Sequence, residues 1–167
     1  MGTAKKVLRY IQGTLDFGIE FIKGRSATLI GYCDSDWAGS EDDRRSTSGY
    51  AFSLGSGMFS WASIKQHTVA LSTVEAEYVS AAEATSQAKW LSNGKESSFP
   101  PENRHISRKF HFIQEAIQVK EIELIYCKTE DQIADILTKA LSKDRFVYLR
   151  DLLGVKSAKW LEGSVDV

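Results

Sequence analysis

The chain has 167 residues, 43% of them hydrophobic and 26% charged, which describes one ordinary globular domain able to bury a real core. A net charge of -1 argues against tight, nonspecific nucleic-acid binding, because that affinity comes from many Lys and Arg contacts to phosphate. No apolar run approaches the length of a membrane span, and no charged-then-apolar leader opens the chain. The two cysteines, Cys33 and Cys127, lack metal-ligand spacing and fall in strand-like runs; they read as buried reduced thiols of an intracellular protein, cytoplasmic or nuclear.

In chain order, residues 4–12 predict a short amphipathic helix, with Val7, Leu8 and Ile11 opposite Lys5, Lys6 and Arg9, stopped at Gly13. A strand is expected at Phe17–Ile22 and a stronger one at Thr28–Cys33. A charged loop, SEDDRRSTS, leads into Tyr50, Phe52 and Leu54, whose alternation with small residues has the period of a half-buried strand. Gly55-Ser56-Gly57 supplies a hairpin turn and Met58–Trp61 starts the return strand; the two strands Thr28–Cys33 and Tyr50–Leu54 are expected to pair antiparallel. Trp37, Trp61, Trp90 and Trp160 read as packing anchors.

Residues 72–91 predict the best helix, opened by the capping box Ser72-Thr73-Val74-Glu75. Residues 92–103, with both prolines, read as loop. A second helix spans 107–119 with Phe110, Ile113 and Ile117 on one face; Ile122–Cys127 reads as a strand, residues 129–132 as the cap of a third helix, and Phe146–Leu153 as a last helix ending at Gly154. The order suits an α/β layered domain.

Three carboxylates draw attention. Asp34 follows an apolar strand directly, which suits either a turn residue or a ligand held at a strand's carboxyl end. Glu77 lies on the stripe Val74, Glu77, Ala81, Ala84, Ala88, Leu91, where an ionised side chain is costly unless a cation or donors meet it; the alternative is a first turn that emerges into solvent. Asp135 has Asp131, Gln132, Thr138 and Lys139 as helical neighbours, a polar face that reads as solvated surface.

The strings VLRYIQGT, YCDSDWAG, DDRRSTSGYAFSLG, SWASIKQHTVALSTVEAEYVSAAEA, HISRKFHFIQEAI and IELIYCKTEDQIADILTKAL closely resemble the ribonuclease H portion of copia-type LTR-retrotransposon Pol polyproteins, from about Lys5 to Leu153. The resemblance implies a ribonuclease H-like α/β fold, a mixed sheet flanked by helices. Its site would bind two Mg²⁺ ions and cut the RNA strand of an RNA–DNA hybrid, using no small-molecule cofactor and no membrane, beside a reverse-transcriptase domain. Asp34, Glu77 and Asp135 match three of the family's four metal-binding carboxylates, leaving Asp36 to shape the loop after β-structure ends. The fourth belongs to a central strand and is followed by a helix; here no Asp occurs from Tyr78 to Glu130, so one strand and one helix are expected to be missing near 92–103. The implied division is a connection remnant at 1–24, a ribonuclease H-like domain at 25–143, and a C-terminal helix and tail at 144–167. Weak activity or an inactive, binding or structural descendant follows from the lost ligand. His105 and His111 read as neutral packing residues, and Arg44, Arg45, Arg104, Arg108 and Lys109 as solvated or phosphate-facing bases.

Overall fold

The computed structural model of the chain describes residues 2–94 and 106–157. The loop expected at 92–103 therefore falls largely outside the described residues, as do Arg104, His105 and Trp160.

A three-stranded antiparallel sheet of β2 (Leu29–Asp36), β3 (Thr47–Leu54) and β4 (Gly57–Lys65) forms the centre of the molecule. Its register runs from Leu29 opposite Leu54 to Asp36 opposite Thr47, and β4 returns through the Gly55 turn, where a φ of +77° suits only glycine without strain. The expected pairing of these strands and their hairpin is what the chain adopts. A separate two-stranded ribbon joins β1 (Phe17–Ile19) to β5 (Val155–Ser157), reinforced by Lys156 Nζ at 2.6 Å from Glu20. β1 is shorter than expected, and β5 had no strand-like run to announce it.

Among the described residues five helices complete the α/β architecture: α1 (Gly2–Gly13), α2 (Thr73–Asn93), α3 (Ile106–Gln118), the single turn α4 (Asp135–Thr138) and α5 (Lys143–Leu152). Alternate residues of β3 show that α2 and α4 take opposite faces of the sheet. Ser48 points to the α2 side, where the fully buried Gln66 donates to Ser48 Oγ at 2.9 Å and to Ala76 O at 3.0 Å. Gly49 points to the other side, against Thr138 and Leu137. The apolar interior is correspondingly split. Ala51, Met58 and Ile133 pack with Tyr32, Leu137 and Leu153 on the α4 side, and Ala82, Phe112 and Ile113 pack with Tyr78, Ile117 and Ile122 between α2 and α3.

Several sequence expectations need correction. Ile122–Cys127 is not a strand; it ladders with no other segment among the described residues, and Leu124, Ile125 and Tyr126 are 53%, 78% and 87% exposed. The resemblance places a strand between this run and β2; here the run does not pair with the open edge of β2. The sheet is therefore antiparallel throughout the described residues, the antiparallel part of a ribonuclease H-like fold with elements missing. Residues 129–131 form a 3-10 turn with no side-chain cap. Phe110 is exposed and stacks edge-on with Tyr78, so α3 buries Phe112, Ile113 and Ala116 instead. Trp37, Trp61 and Trp90 are each about half exposed, so the described tryptophans are not core anchors, although Trp37 Nε1 donates to Ala70 O at 3.0 Å. Cys33 and Cys127 are free thiols; burial pushes Cys33 up to about 12, but Cys127 is outside any strand.

Candidate functional site

β2 delivers Asp34 to its carboxyl end, opposite Gly49 in the ladder. A Cβ on Gly49 would lie 2.6 Å from Thr138 Cγ2 and 2.9 Å from Leu137 Cβ. The bare glycine is what lets α4 settle on the sheet beneath Asp34. Thr138 then donates its hydroxyl to Asp34 Oδ2 at 2.5 Å, across 104 residues of sequence. Two residues on, Asp36 folds toward Gly39, where a Cβ would meet its carboxylate at 2.0 Å, so Asp36 does shape the following loop.

Helix α2 brings Glu77. Ser72 Oγ accepts from Glu75 N at 3.1 Å, and Glu75 reaches back to Leu71 N at 2.7 Å, one residue beyond the expected amide. Thus Glu75 is spent on the cap and Glu77 is free to turn toward β2, where its Oε1 accepts from Ser35 N at 3.3 Å. The inward face of α2 is Ala76, Val79, Ser80 and Ala82, while Val74 is exposed. Glu77 flanks that face, so the alternative of a first turn emerging into solvent describes it better than the apolar stripe did.

Asp135 is 3% exposed, which corrects the solvated reading. A helix of one turn has no solvent face of its own, and its polar neighbours turn toward β2: Gln132 Nε2 donates to Cys33 O at 2.9 Å while Thr138 holds Asp34. The buried Asp135 is met by two cations. Lys139 Nζ lies 2.9 Å from its Oδ1 and 3.6 Å from Asp34 Oδ2; Arg145 Nη2 lies 3.6 Å from its Oδ2. Arg145 is fixed in turn by the carbonyls of Thr129 and Glu130 and by the Tyr148 ring.

The electrostatics follow from this arrangement. Burial raises the Asp34 carboxyl above the usual range; the Thr138 hydroxyl and Lys139 oppose the rise, and nearby Asp135 adds to it. Glu77 is also raised, first because its carboxyl end is crowded by protein although the residue as a whole is exposed, and further by Asp34; the Ser35 amide and Lys139 pull the other way. Lys139 is raised overall: burial lowers it, but its bonds and charges toward Asp135 and Asp34 prevail. One ammonium therefore acts on all three acids. An open groove beside them is lined by Asp36, Ser40, Thr47, Lys65 and Lys139.

Carboxylate oxygens are the right chemistry for a hard divalent ion. The placement does not fit the two-ion arrangement, however. Among the described residues no group of three or more His, Cys, Asp or Glu side chains is disposed to hold a metal. Asp34 Oδ2 is engaged by Thr138 and Lys139, both oxygens of Asp135 face cations, and Glu77 is bonded to a backbone amide. Ser80 and Gly49 had no signal in the sequence, and Gln132 and Thr138 stood out only as polar neighbours of Asp135. Lys139 did, as a basic residue four after Asp135. His111 is exposed beside the Phe110 ring, and Lys109, read as a base at the surface, is buried at 4% exposure.

No protein-family model matches the chain, and no solved structure matches it. Similarity to curated proteins is extensive. The chain is 37% identical over 176 residues to a retrovirus-related Pol polyprotein from transposon RE2 of Arabidopsis thaliana, covering 90% of the chain and 12% of the relative. It is 32% identical over 181 residues to the corresponding polyprotein from transposon TNT 1-94 of Nicotiana tabacum, covering 92% and 13%. A shorter stretch of 87 residues is 55% identical to secreted RxLR effector protein 161 of Plasmopara viticola, covering 52% of the chain and 61% of that protein. The first two alignments are longer than the chain itself, so these relatives carry residues for which it has no counterpart. No described helix is long and apolar enough to cross a membrane. Over nine-tenths of its length the chain is homologous to one segment, about an eighth, of retrovirus-related transposon Pol polyproteins.

Proposed function

We propose that the chain is a retrotransposon-derived ribonuclease H-like domain whose ancestral activity is hydrolysis of the RNA strand of RNA–DNA hybrids, now impaired. The observation that carries this reading is the gathering of Asp34, Glu77 and Asp135 around one end of β2 from three separated stretches of sequence. Burying acids together raises the free energy of the fold, and such clusters persist where chemistry uses them. The resemblance assigns metal binding to the same three positions, and the transposon relatives supply the Pol context in which a hybrid and a reverse-transcriptase domain are the partners.

Impairment has two supports. The fourth acid is absent from the whole stretch Tyr78–Glu130, in keeping with relatives whose alignments need more residues than this chain has. Asp34 and Asp135 are also paired with Lys139 and Arg145 rather than held open. A catalytically inactive descendant with a nucleic-acid-binding or structural role is the second reading, its inactivity favoured by the same ion pairs.

Hybrid cleavage measured with Mg²⁺ and with Mn²⁺ tests the proposal, comparing the chain, its Asp34→Asn variant and a version with the missing strand and its Asp restored. We expect the restored version to be faster by orders of magnitude, each factor of ten reflecting ~1.4 kcal/mol of transition-state stabilisation. Robust cleavage by the unaltered chain, abolished by Asp34→Asn, would overturn the impairment. No cleavage by the restored version would overturn the nuclease reading itself.

A further inference from the structure

The cation at the centre of the acid cluster belongs to the chain. Lys139 closes the one-turn helix α4, its amide bonded to Asp135 O at 3.2 Å, so its backbone is fixed beside the two acids it serves. Its ammonium bridges Asp135 Oδ1 and Asp34 Oδ2, the geometry a shared cation takes between two carboxylates. Around it, Asp34, Glu77 and Asp135 bring three negative charges, and Lys139 with Arg145 returns two positive ones. We propose that Lys139 is a resident cation standing where a divalent ion would bridge Asp34 and Asp135, so that the chain is stable without metal and binds Mg²⁺ weakly while that ammonium is in place.

The physics is competition. A tethered ammonium meets its carboxylates at high effective concentration and loses little freedom on doing so. A dication entering the same space must either displace it or accept repulsion at a few ångströms, in surroundings where charges are poorly screened. Thr138 works with Lys139, because its hydroxyl takes a second lone pair of Asp34 Oδ2. Lys139 is still 38% exposed along its side chain, so the stem has room to swing outward and the block is reversible. The proposal rests on reading these three acids as the site. Its readouts are metal binding and unfolding, not hydrolysis, so a chain that cuts no hybrid leaves it standing.

The test uses the full chain, Lys139→Gln and Lys139→Arg, with Mg²⁺ or Mn²⁺ titrated by calorimetry and with thermal unfolding followed in its presence and absence. The unaltered chain and Lys139→Arg should bind feebly and unfold at the same temperature with or without metal. Lys139→Gln should unfold at a lower temperature without metal, recover when Mn²⁺ is added, and bind the ion at least about tenfold more tightly. Equal affinity in the unaltered chain and Lys139→Gln, or no binding by either, would overturn the proposal. Should Lys139→Gln fail to fold, the side-chain nitrogen signal of Lys139 in the unaltered chain decides by NMR. Metal that binds at Asp34 should move that signal in step with occupancy, and binding that leaves it unmoved refutes the displacement.

Discussion

The two edges of β2 are held by different chemistry. One is laddered to β3 through eight consecutive residue pairs, continued by β4 in a hairpin built from adjacent sequence. The other has no strand beside it among the described residues, and side chains satisfy it instead: Gln132 caps the Cys33 carbonyl, and Glu77 accepts from the Ser35 amide. Ser80 Oγ, from the same helix as Glu77, sits instead at the β2–β3 seam, donating to the Asp34 carbonyl at 2.7 Å with the Gly49 carbonyl 3.5 Å away. Unpaired strand edges invite association and leave backbone groups without partners unless something covers them. Glu77 is thus a clasp on the open edge of β2, beside the buried acids Asp34 and Asp135.

The contrast breaks most plainly under large-to-small substitution. Phe52, 3% exposed within the laddered half, should lose about 3–5 kcal/mol of stability on Phe52→Ala, read as a fall in the urea midpoint. Ile125, 78% exposed in the unladdered run, should lose less than ~0.5 kcal/mol on Ile125→Ala. A cost near 2 kcal/mol at Ile125 would mean that residues 122–127 pack or pair after all, and the asymmetry of β2 would vanish.

Next in size is the joint between sheet and α4. Gly49→Ala sets a methyl group against Thr138 and Leu137, close enough that α4 must shift, at a cost of about 1–3 kcal/mol. The shift should also part Thr138 from Asp34, so a double-mutant cycle between Gly49→Ala and Thr138→Val should show strong non-additivity. Simple additivity would show that α4 docks independently of the glycine.

A smaller effect is expected from Thr138→Val alone, which keeps the shape and removes the donor to Asp34. About 1–2 kcal/mol should be lost, the range for leaving a buried acceptor less well met. No loss at all would mean that Lys139 suffices for Asp34.

These residues also mark how far the sequence could be read. The hairpin, the α2 cap and the position of Asp34 were legible because each depends on neighbours in sequence: alternation, a Gly-Ser-Gly turn, a Ser and Glu three apart. The burial of Asp135 was not, since helical periodicity misleads when the helix is one turn long. Nor was the fate of Ile122–Cys127 legible, because its apolar, β-branched run describes a strand wherever a partner exists, and pairing is a property of the fold. Glu77 was singled out by a stripe that the helix does not bury. Its place beside Asp34 came from the resemblance, and the bond to Ser35 from the structure.

The smallest effect concerns the charge on Glu77. Its folded-state carboxyl is raised above the ordinary glutamate value, so the folded chain holds a proton there more tightly than the unfolded chain does. The stability linked to this group is accordingly full below the ordinary value, near pH ~4.3, and is lost as pH rises through the raised one. Above the raised value the carboxylate is ionised and the fold bears the cost. Glu77→Gln keeps an oxygen able to accept from Ser35 while removing the charge, so it should stabilise the chain slightly near neutral pH. Because the residue is exposed, solvent screening should hold the gain below ~1 kcal/mol, and the gain should shrink as pH falls toward the ordinary glutamate value. The measurement is the unfolding temperature of both chains across that range, without divalent ions. A Glu77→Gln variant less stable than its parent near neutrality would show that the ionised carboxylate is favoured by Ser35 and Lys139 more than burial disfavours it. Glu77 would then be a net support of the edge it clasps, and the cost assigned to gathering the acids would fall on Asp34, whose carboxyl is raised in the same direction.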